Sequence, residues 1–247
     1  MNNIAKYSKY LKLRNTKINY DMLISEGLDN NLSYQEFLEF VLEREVEYRQ
    51  GNSIKKRIHF AKFPYHSSIN DLDYNYYSVE ISNKLRELST LRFIDYGRNA
   101  ILIGNPGVGK TTNAIAIGMK ACQEGKTVMY ITVPNLITEL KENMSLNQLS
   151  NYKKKFMKYD LIILDELGYI SFDKQGSELL FNLLSTRNLN KSIIITSNLP
   201  FNQWQDIFDG DVLTAAMVDR LTHKADVINI TGESYRLKET KEWLAKS

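Results

Sequence analysis

The chain is expected to be an α/β protein, with a parallel five-stranded sheet between helices and a small all-α domain in front of it. Three observations predict this. From residue 99 onward, short apolar runs alternate with longer segments of helical spacing. Two of those runs, Leu161-Ile162-Ile163-Leu164 and Ile193-Ile194-Ile195, are continuously apolar, as suits strands covered on both faces. Before residue 64, apolar residues recur at helical spacing instead.

Taken in order, residues 3–63 read as wholly helical. Ser33 followed by Glu36 is a capping-box signature, and Phe37, Phe40, Val41 and Tyr48 follow at helical spacing. A second amphipathic piece, 53–60, leads Ile54, Ile58 and Ala61 along one stripe. Lys55, Lys56 and Arg57 fan round its other side, as a solvated face or as a contact to a phosphate backbone. Pro64 and small polar residues break the pattern over 63–71 and mark a linker. The boundary is expected between 64 and 75, giving a helical domain 1–68 and an α/β domain 69–247. Tyr74, Tyr76 and Tyr77 follow closely; such a cluster can stack on bases or dock two domains together. Helix resumes at 78–92. Strands are then expected near 100–104, 127–133, 160–165, 192–197 and 226–230, with helices at 110–124, 134–157, 175–189 and 201–222. In such sheets ligands sit outside the carboxyl ends of the strands.

Composition narrows the class. The 247 residues are 43% hydrophobic and 25% charged, which fits a packed protein and excludes a disordered one. Net charge is only +3, carried by residues 1–63, where eleven Lys and Arg face eight acids. That surplus permits nucleic-acid contact without requiring it. A single cysteine, Cys122, can form no internal disulfide and supplies no metal cluster; it reads as a small core residue in a reducing cytoplasm. No apolar run approaches the length of a membrane span, and the first residues show no secretory pattern, so a soluble, cytoplasmic protein without membrane contact is expected.

The chemistry concentrates behind the first strand. Gly104-Asn105-Pro106-Gly107-Val108-Gly109-Lys110-Thr111 has the spacing of a phosphate-binding loop between a strand and a helix. Glycines let successive N–H groups turn inward onto phosphate oxygens, and the helix beginning near Lys110 adds unpaired N–H groups and its dipole. Residues 104–111, with Thr112, are therefore expected to hold ATP, Lys110 reaching the β- and γ-phosphates and the Thr111 hydroxyl ligating Mg²⁺. The third strand ends in Asp165-Glu166. Buried charge is costly, but beside a magnesium–nucleotide site Asp165 can hold the metal's water shell and Glu166 can activate the attacking water. Asn198, at the end of the fourth strand, is placed to bond the γ-phosphate and that water, although Asn before Leu-Pro is also a common turn choice. Arg187, Arg220 and Arg236 are the candidates for an arginine that neutralises transition-state charge, from this subunit or a neighbour.

With these residues in hand, the chain resembles the IstB-like helper ATPases of insertion-sequence transposition, which are similar to the DnaC helicase loaders within the AAA+ class of P-loop NTPases. The resemblance is carried by GNPGVGKTT (104–112), LIILDELGYI (161–170), LLFNLLSTR (179–187), SIIITSN (192–198), AAMVDRLTH (215–223) and VINITGESYRLKE (227–239). SYQEFLEFVLEREV (33–46) and FAKFPYHSSINDLDY (60–74) extend it to the helical domain and linker. It implies an ATPase stimulated by duplex DNA that forms a homo-oligomeric spiral or clamp and recruits a transposase. It also implies that Arg220 is the finger acting on a neighbour's nucleotide, and Arg236 a sensor within its own subunit. The large helical lid of many AAA+ proteins has no room after the fifth strand. Thr112 departs from the family, where His is favoured, with little effect expected on hydrolysis. DNA is expected along the inner face of the assembly, with Lys55, Lys56, Arg57, Lys153, Lys154 and Lys155 as the basic clusters available. The alternatives are a helicase loader, a small-molecule kinase for which no candidate lid is visible, and a DNA-binding module that uses ATP only for assembly.

Overall fold

The strands form where unbroken apolar runs occur, and their alternation sorts the side chains into two cores. The computed structural model describes residues 3–187 and 191–232, and beyond these 234, 235, 237, 240, 243 and 244. Five strands, β1 (Asn99–Ile103), β2 (Val128–Thr132), β3 (Leu161–Leu167), β4 (Ser192–Ser197) and β5 (Ala225–Asn229), pair in the order β2-β3-β4-β1-β5. Every pairing is parallel. Ile101, Ile103, Ile162, Leu164, Ile193 and Ile195 enter one core, whereas Ala100, Leu102, Leu161, Ile163 and Ile194 enter the other. This is the period of two expected of strands buried on both sides.

The helices are α1 (Asn3–Tyr10), α2 (Arg14–Asp29), α3 (Tyr34–Ala61), α4 (Val79–Ser89), α5 (Arg92–Asp95), α6 (Lys110–Gln123), α7 (Val133–Ser145), α8 (Leu149–Phe156), α9 (Lys174–Ser185) and α10 (Asp211–Thr222). On leaving β1 the chain enters α6, which packs with α4 in one core. On leaving β4 it runs through a 3₁₀ segment, Phe201–Asp206, into α10, which packs with α7 and α9 in the other. Departures to opposite faces open a crevice beyond the carboxyl ends of β1 and β4.

Two long expected helices are broken. The stretch 134–157 is interrupted at Leu146, Asn147 and Gln148, where Asn147 takes φ 56°, a left-handed conformation Asn tolerates. The stretch 201–222 is divided by residues 207–210. The region 3–63 is helical as expected, in three helices with turns at left-handed Lys12 and Asn31. At Ser33 the expected capping box is present: Ser33 N–H donates to Glu36 Oε2 at 2.8 Å and Glu36 N–H to Ser33 Oγ at 3.4 Å.

The chain divides into compact units Met1–Lys56 and Arg57–Ser247, whereas the linker composition had placed a boundary at 68/69. The end of α3 and the linker belong to the second unit because their apolar residues pack there. Ala61 is fully buried in the core that holds α6, and Phe63 packs against it. Within the first unit the buried carboxylate of Glu45 closes the start of α2, accepting from the N–H groups of Arg14, Asn15 and Thr16 at 2.8, 2.9 and 3.1 Å.

Candidate functional site

The loop between β1 and α6 turns on two left-handed glycines, Gly107 at φ 85° and Gly109 at φ 90°. Neither could carry a side chain. A Cβ on Gly107 would lie 2.1 Å from Ser234 Oγ, and one on Gly109 2.4 Å from the Tyr77 hydroxyl. The loop is thus gripped from outside by two distant segments. Tyr77 OH donates to Val108 O at 3.2 Å and accepts from Asn113 Nδ2 at 3.0 Å, and Tyr235 N–H donates to Gly107 O at 2.9 Å. Tyr76 and Tyr235 stack with ring centroids 4.1 Å apart. The tyrosine cluster therefore braces the phosphate loop of its own unit, a use that neither base stacking nor domain docking anticipated. Burial, partly countered by the Asn113 hydrogen bond, pushes the Tyr77 phenol up.

Lys110 Nζ donates to Gly104 O at 2.6 Å and Asn105 O at 2.8 Å. One residue on, Thr111 Oγ1 donates to Asp165 Oδ1 at 2.9 Å. The P-loop threonine and the strand-end aspartate that the sequence paired as magnesium ligands are thus in direct contact. Thr196 of β4, the strand between β3 and β1, bonds the same oxygen, and Tyr130 OH of β2 donates to Oδ2 at 2.6 Å. Asp165 itself is 2% exposed. Burial first, and then the adjacent carboxylate, drive the Tyr130 phenol strongly up, so it remains a donor.

Glu166 is positioned by a break in the ladder. Leu164 pairs with Ile195 and Leu167 with Ser197, so β3 spends one residue more than β4 over this interval. The extra residue is a bulge, Glu166 takes φ 63°, and its N–H turns to Thr196 Oγ1 at 3.1 Å. A non-glycine residue held there is strained, and such strain gathers at functional sites. The result places Glu166 with Lys110, Thr111 and Tyr77 around a cavity of about 450 Å³, within the range of small-ligand sites. Asn198 follows at the end of β4, with its buried Oδ1 lacking a hydrogen-bond partner among the described residues.

The arginines separate. Arg220, on α10, is exposed and lies 5.7 Å above the Phe181 ring. It borders a cavity with Asn99, Lys191 and Lys224, at the amino ends of the strands and away from its own phosphate loop. Arg187 is buried and cannot serve as a finger. Its guanidinium donates to the carbonyls of Phe156, Tyr159, Asp160 and Ser192 at 2.8–3.3 Å, and burial lowers it to about 10 against the pull of Asp160. Arg236 lies outside the described residues.

Among the basic clusters, Lys55, Lys56, Lys154 and Lys155 are exposed and Lys153 is half-buried. Arg57 departs from the expected outward fan: its Nε donates to Cys122 O at 2.7 Å, tying the end of α3 to α6. Cys122 is the buried core residue expected, its thiol pushed up to about 11 by burial. Thr112 faces the linker, with its hydroxyl 3.2 Å from Tyr65 OH. Sequence reading noted Tyr77 without this role and missed Tyr130; both roles depend on contacts across the fold. No described helix is long and apolar enough to cross a membrane.

Comparison with known proteins identifies a family of ATP-binding proteins. The model of the family described as IstB-like ATP binding protein matches residues 6–243. A Geobacillus stearothermophilus protein named for ATP binding in insertion sequence IS5376 is 38% identical over 86% of this chain and 84% of its own. Its counterpart in insertion sequence IS21 of Pseudomonas aeruginosa is 34% identical over 94% of this chain and 88% of its own. The crystal structure of the DnaC helicase loader shares the fold, with TM-score 0.53 and 19% identity over 72% of this chain and 99% of that one.

Proposed function

This chain belongs to the IstB-like ATP binding protein family, and on that premise we propose that it is a DNA-stimulated ATPase serving the transposition of an insertion sequence. In this reading it assembles as a homo-oligomer on duplex DNA and recruits and activates the transposase of the same element. The observation that carries hydrolysis is the bulge at Glu166. It sets a carboxylate beside the phosphate loop immediately after the carboxylate that contacts Thr111.

Thr111 and Asp165 offer hard oxygen donors 2.9 Å apart at the start of α6, a set that suits Mg²⁺. Bound there, the ion would neutralise phosphate charge and order water. Main-chain N–H groups of the turn 107–111 cradle the phosphates, and Lys110 supplies a cation to the outer ones. Glu166 takes the proton of the attacking water. Asn198, with an acceptor oxygen to spare, orients that water from the neighbouring strand end. Arg220, remote from its own loop, acts on the nucleotide of the next subunit, and Arg236 acts on its own. Lys55, Lys56, Lys153, Lys154 and Lys155 contact DNA phosphates, so binding is salt-sensitive and tolerant of sequence. Relatives named for insertion sequences align along nearly the whole chain, including the helical first unit, which supports transposition over helicase loading.

The test is Glu166→Gln. The variant should hold ATP with wild-type affinity and turn it over about 100-fold or more slowly. Turnover at the wild-type rate would refute the assigned role. For the partner, capture from cells that recovers a replicative helicase and no transposase would replace this reading with helicase loading.

A further inference from the structure

Among the described residues three hydroxyls from different elements donate to Asp165: Thr111 on α6, Thr196 on β4 and Tyr130 on β2. Two of them crowd Oδ1. Among the described residues, Oδ2 takes its hydrogen bond from Tyr130 alone, at 2.6 Å. A carboxylate turns about the bond to its side chain unless both oxygens are held. Its use toward a metal depends on which lone pairs face outward.

The register explains how a tyrosine at this position reaches Asp165. Tyr130 lies opposite Ile163 across the β2–β3 ladder, so Asp165 is its diagonal neighbour, two residues further along on the same face. That separation is within reach of an aromatic side chain. The ring is itself held. Phe63 packs against it at 6.2 Å between centroids, and a Cβ on Gly118 of α6 would lie 2.9 Å from the Phe63 ring. The phenol is thus fixed by packing from the linker as well as by its strand.

The geometry points to Tyr130 as a positioning residue for the metal-holding carboxylate. Its hydroxyl locks the plane of Asp165 so that Oδ1, beside Thr111, is presented to the metal's coordination shell. This rests on the reading of Asp165 given above. Its assigned action is through Asp165, to which its hydroxyl donates.

The experiment uses the full chain with AMPPNP and follows Mn²⁺ binding by electron paramagnetic resonance, alongside nucleotide binding in EDTA by a fluorescent ATP analogue. Tyr130→Phe keeps the ring and removes the hydroxyl. It should weaken Mn²⁺ about 10-fold or more, leave metal-free nucleotide binding unchanged, and raise the Mg²⁺ concentration for half-maximal turnover in parallel. Wild-type Mn²⁺ affinity, with or without a lower melting temperature, would reduce Tyr130 to a packing residue and overturn the inference. So would an equal loss of metal-free nucleotide binding, which would mean the loop had collapsed. Asp165→Asn is the control. If it binds Mn²⁺ as wild type does, the underlying assignment of Asp165 has failed; if it loses the metal while Tyr130→Phe does not, only the role of Tyr130 has.

Discussion

Replacing Arg187 with Met should destabilise the protein without touching its chemistry, and replacing Arg220 with Ala should do the reverse. Arg187 Nη1 and Nη2 reach four carbonyls that belong to the end of α8, the turn before β3 and the start of β4. Asp160 O also accepts from Ser192 N–H, and Ser192 O lies within the ladder, so both keep partners when the guanidinium goes. Among the described residues, the carbonyls of Phe156 and Tyr159 have no second partner of that kind. Leaving one buried and one part-buried acceptor unpaired costs about 1–3 kcal/mol for the buried one and less for the other, while Met fills the space of the stem and removes the cost of burying a charge. The net loss is about 3 kcal/mol, which for a protein of this size lowers the melting temperature by about 6–12 °C. Arg220→Ala gives up one ring contact at an exposed site, worth about 0.5–1 kcal/mol, and should melt within a few degrees of wild type. Differential scanning fluorimetry and phosphate release on both variants, at a temperature where both are folded, separate the two effects. If Arg187→Met melted with wild type and lost turnover, the division of labour between these arginines would be wrong.

Further outcomes follow from other contacts. Gly109→Ala should abolish ATP retention on a filter, because a Cβ would strike the Tyr77 hydroxyl and φ 90° is strained for alanine at about 1–3 kcal/mol. Tyr77→Phe should weaken nucleotide binding several-fold in fluorescence titration with the fold intact, since it frees Val108 O and leaves Asn113 Nδ2 without that acceptor. Glu45 carries a pH dependence. Burial raises its carboxyl, but the N–H groups of Thr16, Arg14 and Asn15 and the Arg49 guanidinium outweigh it and leave it below its ordinary value. Its stabilisation of α2 is therefore complete above the ordinary glutamate range and is lost as pH falls through the lowered folded value. Protection factors over residues 14–29, taken relative to the intrinsic exchange rate at each pH, should fall on acidification in wild type and be low already at neutral pH in Glu45→Gln. Charge reversal of Lys153, Lys154 and Lys155 to Glu should weaken duplex DNA binding uniformly across sequences and flatten its salt dependence.

What could be read from the chain alone was what local pattern specifies. Ile193-Ile194-Ile195 and Leu161-Ile162-Ile163-Leu164 announced buried strands, and the glycine spacing before Lys110 announced the phosphate loop; both lie where expected. The juxtaposition of Thr111 with Asp165 followed from the strand–loop–helix logic. The misses share one cause, which is that sequence spacing carries no register. Nothing in Met129-Tyr130-Ile131 shows that the phenol meets a carboxylate two residues along the next strand. Nor does a run of Lys55, Lys56 and Arg57 show that the third turns inward to a helix carbonyl. Arg187 stood among the candidate fingers because its four acceptors come from residues up to 31 positions away and leave no local trace. The strain at Glu166 arises from a bulge, which only the pairing of two strands defines.

The ammonium of Lys110 is not idle in this structure; it is docked on the carbonyls of Gly104 and Asn105, inside the very loop it serves. An incoming anion therefore has to compete with main-chain oxygens for that cation. A lone sulfate or a single phosphate would compete through its charge, since a charge-assisted hydrogen bond is about twice as strong as one to a neutral carbonyl. A chain of phosphates, filling the loop's N–H groups and extending past it, would draw the lysine away while keeping the cradle occupied, so affinity should grow with the number of linked anionic groups.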